Sequence, residues 1–377
     1  MNKNKSKSFK SLISKCALSA SLLFCAGQVF ADNCFIMVHG HGVQGNVQSP
    51  TNQPALDNWR SAEFSAYQGS EFFTSLLEPG DNYGIVGYDS TEQGGYPYWR
   101  DETAGEIARQ IISIKGGNGD GYVHSHAGTQ CAANDMFTVI AHSQGGAEMM
   151  YISGNSVAGS PYYNTAYTTS GSSPSVSTPK TVDFASAMNG ILAIVTLGSP
   201  LSGTEGADRI CDGSIVDGII ASLMGRNCYG DVEWLQTHNT YAVKNFVGTN
   251  LGAPVYVLGG YKAFPGAASA SSGFLTGEDD GFINLASQMS CVGSGKRNLQ
   301  NDLSEYNTFL GIPYGSPIFT CDNANKGTPR TFNAASIHTD HDAERNGGLI
   351  TPSNTAIPDG VDCGSRQNMA GRINDCL

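Results

Sequence analysis

Basic side chains are scarce in this 377-residue chain: 21 Lys and Arg stand against 33 Asp and Glu, a formal net charge of −12. Five of those lysines, Lys3, Lys5, Lys7, Lys10 and Lys15, fall in the first 15 residues, which hold no acid. Behind them runs an apolar stretch, Cys16 to Phe30, that ends with Val29 and Ala31 at positions −3 and −1 of a candidate cleavage point. This is the pattern of a secretory signal over 1–31, cut after Ala31. Without those five lysines, residues 32–377 carry 16 basic and 33 acidic side chains, net −17. Such a deficit argues against nucleic acid as a partner, because phosphate contacts need Lys and Arg. It argues equally against electrostatic docking on anionic lipid. Long apolar runs are missing too: beyond the leader none approaches the roughly 18–20 residues of a membrane-spanning helix. Bulky Phe24 before Cys25 does not suit a lipoprotein signal. The expectation is an exported protein, secreted or periplasmic, with no integral membrane segment. Nothing in the sequence indicates a protein partner.

Also absent are CxxC pairs, His-rich ligand spacings and internal repeats, so zinc is not expected. Of the 10 Cys, two lie in the leader. The other eight are Cys34, Cys131, Cys211, Cys228, Cys291, Cys321, Cys363 and Cys376. An even, widely spaced set in an exported chain suggests up to four disulfides, although eight Cys allow about 105 pairings. Pairing neighbours in sequence gives Cys211–Cys228, Cys291–Cys321 and Cys363–Cys376, which leaves Cys34–Cys131.

What is present is an alternation of short apolar runs and helical patterns. Residues 34–39, Tyr83 to Tyr88, Met136 to Ala141, Ile191 to Leu197 and Pro254 to Leu258 read as buried strands. Helices are expected over about 60–77, from Asp101 as cap through Ile112, and over Gly145 to Ile152. A loop rich in Gly, Asn, Gln and Pro follows the first strand, and residues 153–180 read as a surface excursion. His124 and His126 sit in a Gly/Ser loop and read as surface residues. This alternation predicts right-handed crossovers and a mostly parallel sheet flanked by helices.

Chemistry concentrates in Phe137-Thr-Val-Ile-Ala-His-Ser-Gln-Gly-Gly146. A strand runs into Ser143 and a helix leaves at once. Such a turn strains the Ser backbone and exposes its hydroxyl at the C-terminal edge of the sheet. The turn needs small residues two before and two after, here Ala141 and Gly145. The helix N-terminus beneath Ser143 favours developing negative charge. A second block, Val38-His39-Gly40-His41-Gly42, closes the first strand. An oxyanion hole takes one N–H from just after the nucleophile and one from an earlier strand–helix loop. Gln144 and His41 are placed to supply them. His39 and His41 are metal-ligand types, but no Cys, Asp or Glu stands at ligand spacing, and no metal is expected.

These blocks resemble the α/β-hydrolases, and within them the secreted triacylglycerol lipases and esterases of Gram-negative bacteria. The resemblance rests on Met37-Val-His-Gly40, Ala141-His-Ser-Gln-Gly145 and Val195-Thr-Leu-Gly-Ser-Pro-Leu-Ser-Gly-Thr-Glu-Gly-Ala-Asp208. It extends more weakly to Pro254–Gly260 followed by Glu278-Asp-Asp-Gly-Phe-Ile283, and covers about residues 34–285. Leu201 stands where the family has a His, so any role of that His is lost. The resemblance implies an α/β-hydrolase domain over 32–377 with a cap or lid insertion near 203–250. The apolar helical stripe of Ile215, Val216, Ile219, Ile220, Leu223 and Met224 suits either a lid or a fixed cap helix. A disulfide-bearing C-terminal extension from about 290 departs from the family in length. Calcium occurs in such lipases, but no ligand set stands out here.

By the resemblance, Asp280 before Gly281 matches the catalytic acid, with Asp279 as its neighbour. The acid holds the base in the right tautomer. Chain order Ser, Asp, His then requires a His downstream, and only His338 and His341 exist. Asp340-His341-Asp342 is the better match to the family loop, although it lies 61 residues beyond Asp280. The expected activity is hydrolysis of carboxylic esters, including lipids, by Ser143, His341 and Asp280 through an acyl-enzyme and without a cofactor. Two other readings of the same sequence are an acyltransferase sharing that intermediate and a non-catalytic binding protein on the hydrolase fold.

Overall fold

The first apolar run beyond the leader forms β1 (Asn33–Val38), buried over its last five residues. The computed structural model describes residues 33–42, 53–60, 80–90, 96–116, 127–128, 131–168, 178–211, 228, 231–236, 250–260, 280, 282–283, 285–288, 307–309, 312–314 and 333–337, all within the unit Asn33–Leu377. The further strands are β2 (Asn82–Val86), β3 (Ala127–Gly128), β4 (Met136–His142), β5 (Thr165–Tyr167), β6 (Pro179–Thr181), β7 (Ile191–Leu197), β8 (Val255–Gly260), β9 (Asn307–Phe309), β10 (Ile312–Tyr314) and β11 (Asn333–Ile337). Seven of them form one sheet in the order β11-β8-β7-β4-β1-β2-β3. Every neighbouring pair is parallel except β2 with the edge strand β3. Leaving β1, the chain pairs first on one side, as β2, and then on the other, as β4. Strand order therefore reverses between β1 and β4, and ligands of open α/β sheets bind at the carboxyl edge of such a switch point.

The helices are α1 (Gln53–Arg60), α2 (Glu106–Ile114), α3 (Gln144–Gly154), α4 (Phe184–Met188), α5 (Glu205–Cys211), α6 (Asp231–Trp234) and α7 (Leu285–Gln288). A π-helical turn, Asp101–Gly105, runs directly into α2. Ile36, Val139 and Ile194, on three adjacent strands, are wholly buried. Each such side chain contributes about 1.5–3 kcal/mol. Helix α3 is buried along all eleven residues, so it is a core helix rather than a surface one. Tyr151 of α3 packs edge-on against Phe184 and Tyr98.

Several expectations change. Part of the loop after β1 is helical, as α1, with Ala55 and Trp59 buried; the helix expected over 60–77 lies almost wholly outside the described residues. Asp101 caps nothing. Its carboxylate is taken by Arg109 Nη1 at 2.8 Å and Lys180 Nζ at 2.5 Å, and the residue opens the π turn. The 153–180 excursion is not all surface, because the β5–β6 hairpin sends Ala166 and Tyr167 into the core. Strand β11 was not foreseen. Two of the expected disulfides form. Cys34–Cys131 ties β1 to the segment before β4 across 97 residues, and Cys211–Cys228 spans 17. Cys291, Cys321, Cys363 and Cys376 lie outside the described residues, as do His124, His126 and the 215–224 stripe. Among the described residues no helix is long and apolar enough to cross a membrane.

Candidate active site

Ser143 sits between β4 and α3 with φ 51° and ψ −129°. A non-glycine residue at positive φ costs on the order of 1–3 kcal/mol and persists only where its surroundings enforce it. Here they do. The Ser143 N–H donates to Leu197 O of β7 at 2.8 Å, and the Gly146 N–H donates to Ser143 O at 3.0 Å. The two glycines that follow are packed without room for a side chain. A Cβ on Gly145 would strike the carbonyls of His39 and Val38, and one on Gly146 would strike Ser199. Ala141, two residues before, lies buried between its register partners Val38 and Thr196. The elbow expected from the sequence is thus present, with Ser143 at the carboxyl end of β4 beside the switch point.

The 39–42 loop, at the carboxyl end of β1, closes directly over this turn. A Cβ on Gly40 would lie 2.5 Å from Ser143 Cβ and 3.2 Å from Ser143 Oγ. The segment after β2 braces the loop from the far side. Tyr88 stacks on the His39 ring with centroids 4.2 Å apart and planes 7° from parallel. Its backbone N–H donates to His39 Nε2 at 3.2 Å and its Oη to His39 O at 2.9 Å. Ser90 Oγ donates to Gly40 O at 2.8 Å, and Ser90 O accepts from the Gly42 N–H at 2.9 Å. Gln144 is the first residue of α3, so its N–H is among the helix donors without an intrahelical acceptor. The buried Gln144 side chain donates from Nε2 to Glu148 Oε1 at 3.2 Å.

Asp280 follows β8 and is fully buried. Its Oδ1 accepts from the backbone N–H groups of Phe282, at 2.9 Å, and Ile283, at 2.8 Å. These bonds hold Oδ1 in place. The stretch around it is tied to the loop that leaves β7: Thr204 Oγ1 donates to Phe282 O at 2.7 Å, Ser287 Oγ accepts from the Ser202 N–H at 3.1 Å, and Ser287 donates to Gly203 O. That same loop carries Ser199, against which Gly146 packs. Leu201 in this loop is buried. His338, His341 and Asp279 lie outside the described residues. The parallel strand β11 ends at Ile337, one residue before His338 and four before His341.

A buried charged group stands behind the bracing segment. Arg109 pairs with Asp101 at 2.8 Å and with Glu106 at 3.6 Å. Gln110 donates from Nε2 to Glu106 Oε1 at 3.1 Å and to Gly87 O at 2.6 Å, and its Oε1 accepts from the Gly87 N–H at 3.0 Å. Burial alone would raise the Asp101 carboxyl, but the hydrogen bonds and charges of Arg109 and Lys180 outweigh it and hold Asp101 below the usual carboxylate range. For Glu106 burial wins, with help from the Asp101 charge, and its carboxyl is pushed up to about 7 against the pull of Arg109 and Gln110. Among the described residues, no three His, Cys, Asp or Glu side chains are grouped to hold a metal ion. The sequence reading overlooked Tyr88 and Ser90; their only local signal is a polar residue just past a strand end.

A mostly parallel sheet with a Ser-bearing strand–turn–helix at its switch point is the α/β-hydrolase architecture. No protein-family model matches the sequence, and comparison with curated proteins found no match. Solved structures do match: Bacillus licheniformis lipase BlEst2 in mature form is 15% identical, over 70% of this chain and 81% of that one, with TM-score 0.43. EstA from Clostridium botulinum is 13% identical, over 85% of each chain, at 0.43. Staphylococcus hyicus lipase is 12% identical, over 83% of this chain and 89% of that one, at 0.40. The fold assignment rests on the sheet order and the elbow, not on these likenesses.

Proposed function

We propose that this chain is an exported serine hydrolase that cleaves carboxylic esters of a lipase or esterase type. The observation that carries the reading is Ser143 held at positive φ at the switch point, with Gly40 packed against it. In this mechanism Ser143 Oγ attacks the ester carbonyl. His341 accepts its proton as general base and returns it to the leaving alcohol. Asp280, its Oδ1 fixed by two amides, presents its carboxylate to the imidazole and stabilises the imidazolium. The N–H groups of His41 and Gln144 receive the developing oxyanion. Water then resolves the acyl-enzyme by the same route, and no step calls on a cofactor. The leader pattern and the two disulfides support export.

The test is labelling with a fluorophosphonate probe, together with hydrolysis of a chain-length series of aryl esters. Ser143→Ala is expected to stay folded, lose the label and lose several orders of magnitude in turnover. His341→Ala is expected to lose a comparable factor and His338→Ala little. Retained turnover in Ser143→Ala removes Ser143 from the mechanism; the reverse ranking of the histidines moves the base to His338.

A further inference from the structure

The bracing segment after β2 does more than pack. A trans peptide is planar, with its C=O and N–H pointing in opposite directions. The carbonyl of Gly40 and the N–H of His41 belong to one such unit, so whatever fixes the first aims the second. Two groups hold the Gly40 carbonyl: Ser90 Oγ at 2.8 Å and His39 Nδ1 at 2.8 Å. The role of each His39 nitrogen follows from its partner. The Tyr88 N–H can only donate, so Nε2, 3.2 Å away, is the unprotonated nitrogen. The ring hydrogen is therefore on Nδ1 and is given to Gly40 O. The ring itself is fixed by stacking on Tyr88, whose hydroxyl also holds the His39 carbonyl at 2.9 Å. Both lone pairs of the Gly40 carbonyl are thus occupied by donors that are wholly buried. Tyr88 is anchored in turn, because Gln110 of α2 grips both backbone groups of Gly87.

We infer that Ser90 and Tyr88 are positioning residues that aim the His41 N–H at the oxyanion, Ser90 by holding the Gly40 carbonyl and Tyr88 by holding His39, its carbonyl through the hydroxyl and its ring by stacking. This rests on the ester-hydrolase reading above. It gives these two side chains a role in the transition state although neither need touch substrate. A misaimed donor loses strength steeply with angle, and its effect is felt where charge develops rather than in the ground state.

The experiment uses Ser90→Ala and Tyr88→Phe in the full chain. The Phe variant keeps the stacked ring and removes one hydroxyl, so it guards against a Ser90 variant that fails to fold. Three quantities are measured: kcat and KM on an aryl ester, affinity for a trifluoromethyl ketone that forms a tetrahedral oxyanion adduct, and affinity for the matching unactivated amide. The expected result is about a tenfold fall in kcat, the size of one hydrogen bond. Ketone affinity should fall by the same factor, with KM and amide affinity within about twofold. A merely structural role would lower melting temperature without splitting kcat from KM or the ketone from the amide. If Ser143-dependent hydrolysis stands but both variants keep wild-type kcat and ketone affinity, the positioning role is overturned and the hydrolase reading survives. If the wild-type chain neither hydrolyses esters nor takes the fluorophosphonate on Ser143, both fall together.

Discussion

Gly40→Ala isolates the closest approach in the site. The added methyl would stand 2.5 Å from Ser143 Cβ. Carbon atoms in contact prefer about 3.5–4.0 Å, so the two backbones must part by about 1 Å. Neither side yields easily. Ser143 is pinned to β7 through its N–H and Leu197, and the Gly40 carbonyl is held by Ser90 and His39. Forcing a methyl into such a site costs about 1–3 kcal/mol of stability. The larger effect falls on chemistry: a misplacement of about 1 Å is worth roughly 100-fold in rate, and loss of an oxyanion donor about 100- to 1,000-fold. We expect kcat to fall about 100-fold with KM little changed.

The control is Gly42→Ala. Gly42 has φ +83° and nothing within 4 Å of an added Cβ. Its substitution costs about 1–2 kcal/mol of backbone strain but brings no collision. Hydrolysis of a short-chain aryl ester, measured beside thermal unfolding of each variant, separates the two effects. The expected pattern is similar destabilisation of both variants, with kcat lost at least tenfold more in Gly40→Ala. A folded Gly40→Ala enzyme within threefold of wild-type kcat would show that the 39–42 loop does not serve the nucleophile, and would refute the oxyanion assignment.

Two further outcomes concern stability. Glu106, raised by burial from the ordinary 4.5 to about 7, stays protonated in the folded chain over a pH range where the unfolded chain has lost the proton. Its contribution is therefore complete below pH 4.5 and is lost as pH rises to 7, about 3 kcal/mol across that window. In urea unfolding from pH 4.5 to 7, wild type should lose that amount relative to Glu106→Gln; a pH-independent difference between the two would refute the shift. The Cys34–Cys131 bond closes a 97-residue separation and is worth about 4–5 kcal/mol by loop-closure entropy. A Cys34→Ala/Cys131→Ala double variant should unfold at correspondingly lower urea concentration, and an unchanged midpoint would count against the bond.

Five of the seven strands of the main sheet were legible because each is a mostly apolar run bounded by polar or glycine residues. Ile191–Leu197 appears with the very bounds read from its pattern. What misled was local rules meeting distant partners. Asp101 has the type and place of a helix cap, but Arg109 and Lys180, the latter 79 residues on, take its carboxylate. The 153–180 stretch has the composition of a loop, yet Tyr167 is drawn into the core beside Tyr162, and composition carries no sign of that. Strand β11, Asn-Ala-Ala-Ser-Ile, has one branched apolar residue in five and no alternation to betray it; only its register against β8 makes it a strand.

The same division explains which parts of the site could be read. The elbow is contiguous: strand, Ser143, two glycines and helix all lie within the nineteen residues Met136–Gly154, and steric demand writes itself into their identities. The 39–42 loop, the proposed oxyanion loop, was half legible, because Gly40 shows the need for close approach but Tyr88 and Ser90, about 50 residues away, show nothing of their bonds to it. Asp280 was singled out by its resemblance to the family's acid loop, and its burial with two amide donors is a tertiary fact with no local signature beyond the turn. The base is the hardest case. Both candidates follow β11, one of the strands the sequence reading missed. With β11 ending at Ile337, His338 is the first residue beyond the strand and His341 the fourth. In a parallel sheet the residues that reach a site stand in the loop past the carboxyl end of a strand, as Ser143 does past His142 and Gly40 past Val38. In the sequence both histidines follow Ile337, the last residue of β11, within four residues. In the proposed mechanism the base must meet Asp280, which follows β8, with one ring nitrogen while the other faces Ser143. The flanking Asp340 and Asp342 favour His341 by the family resemblance, and the paired histidine variants, more than either alone, decide which of the two serves in the proposed mechanism.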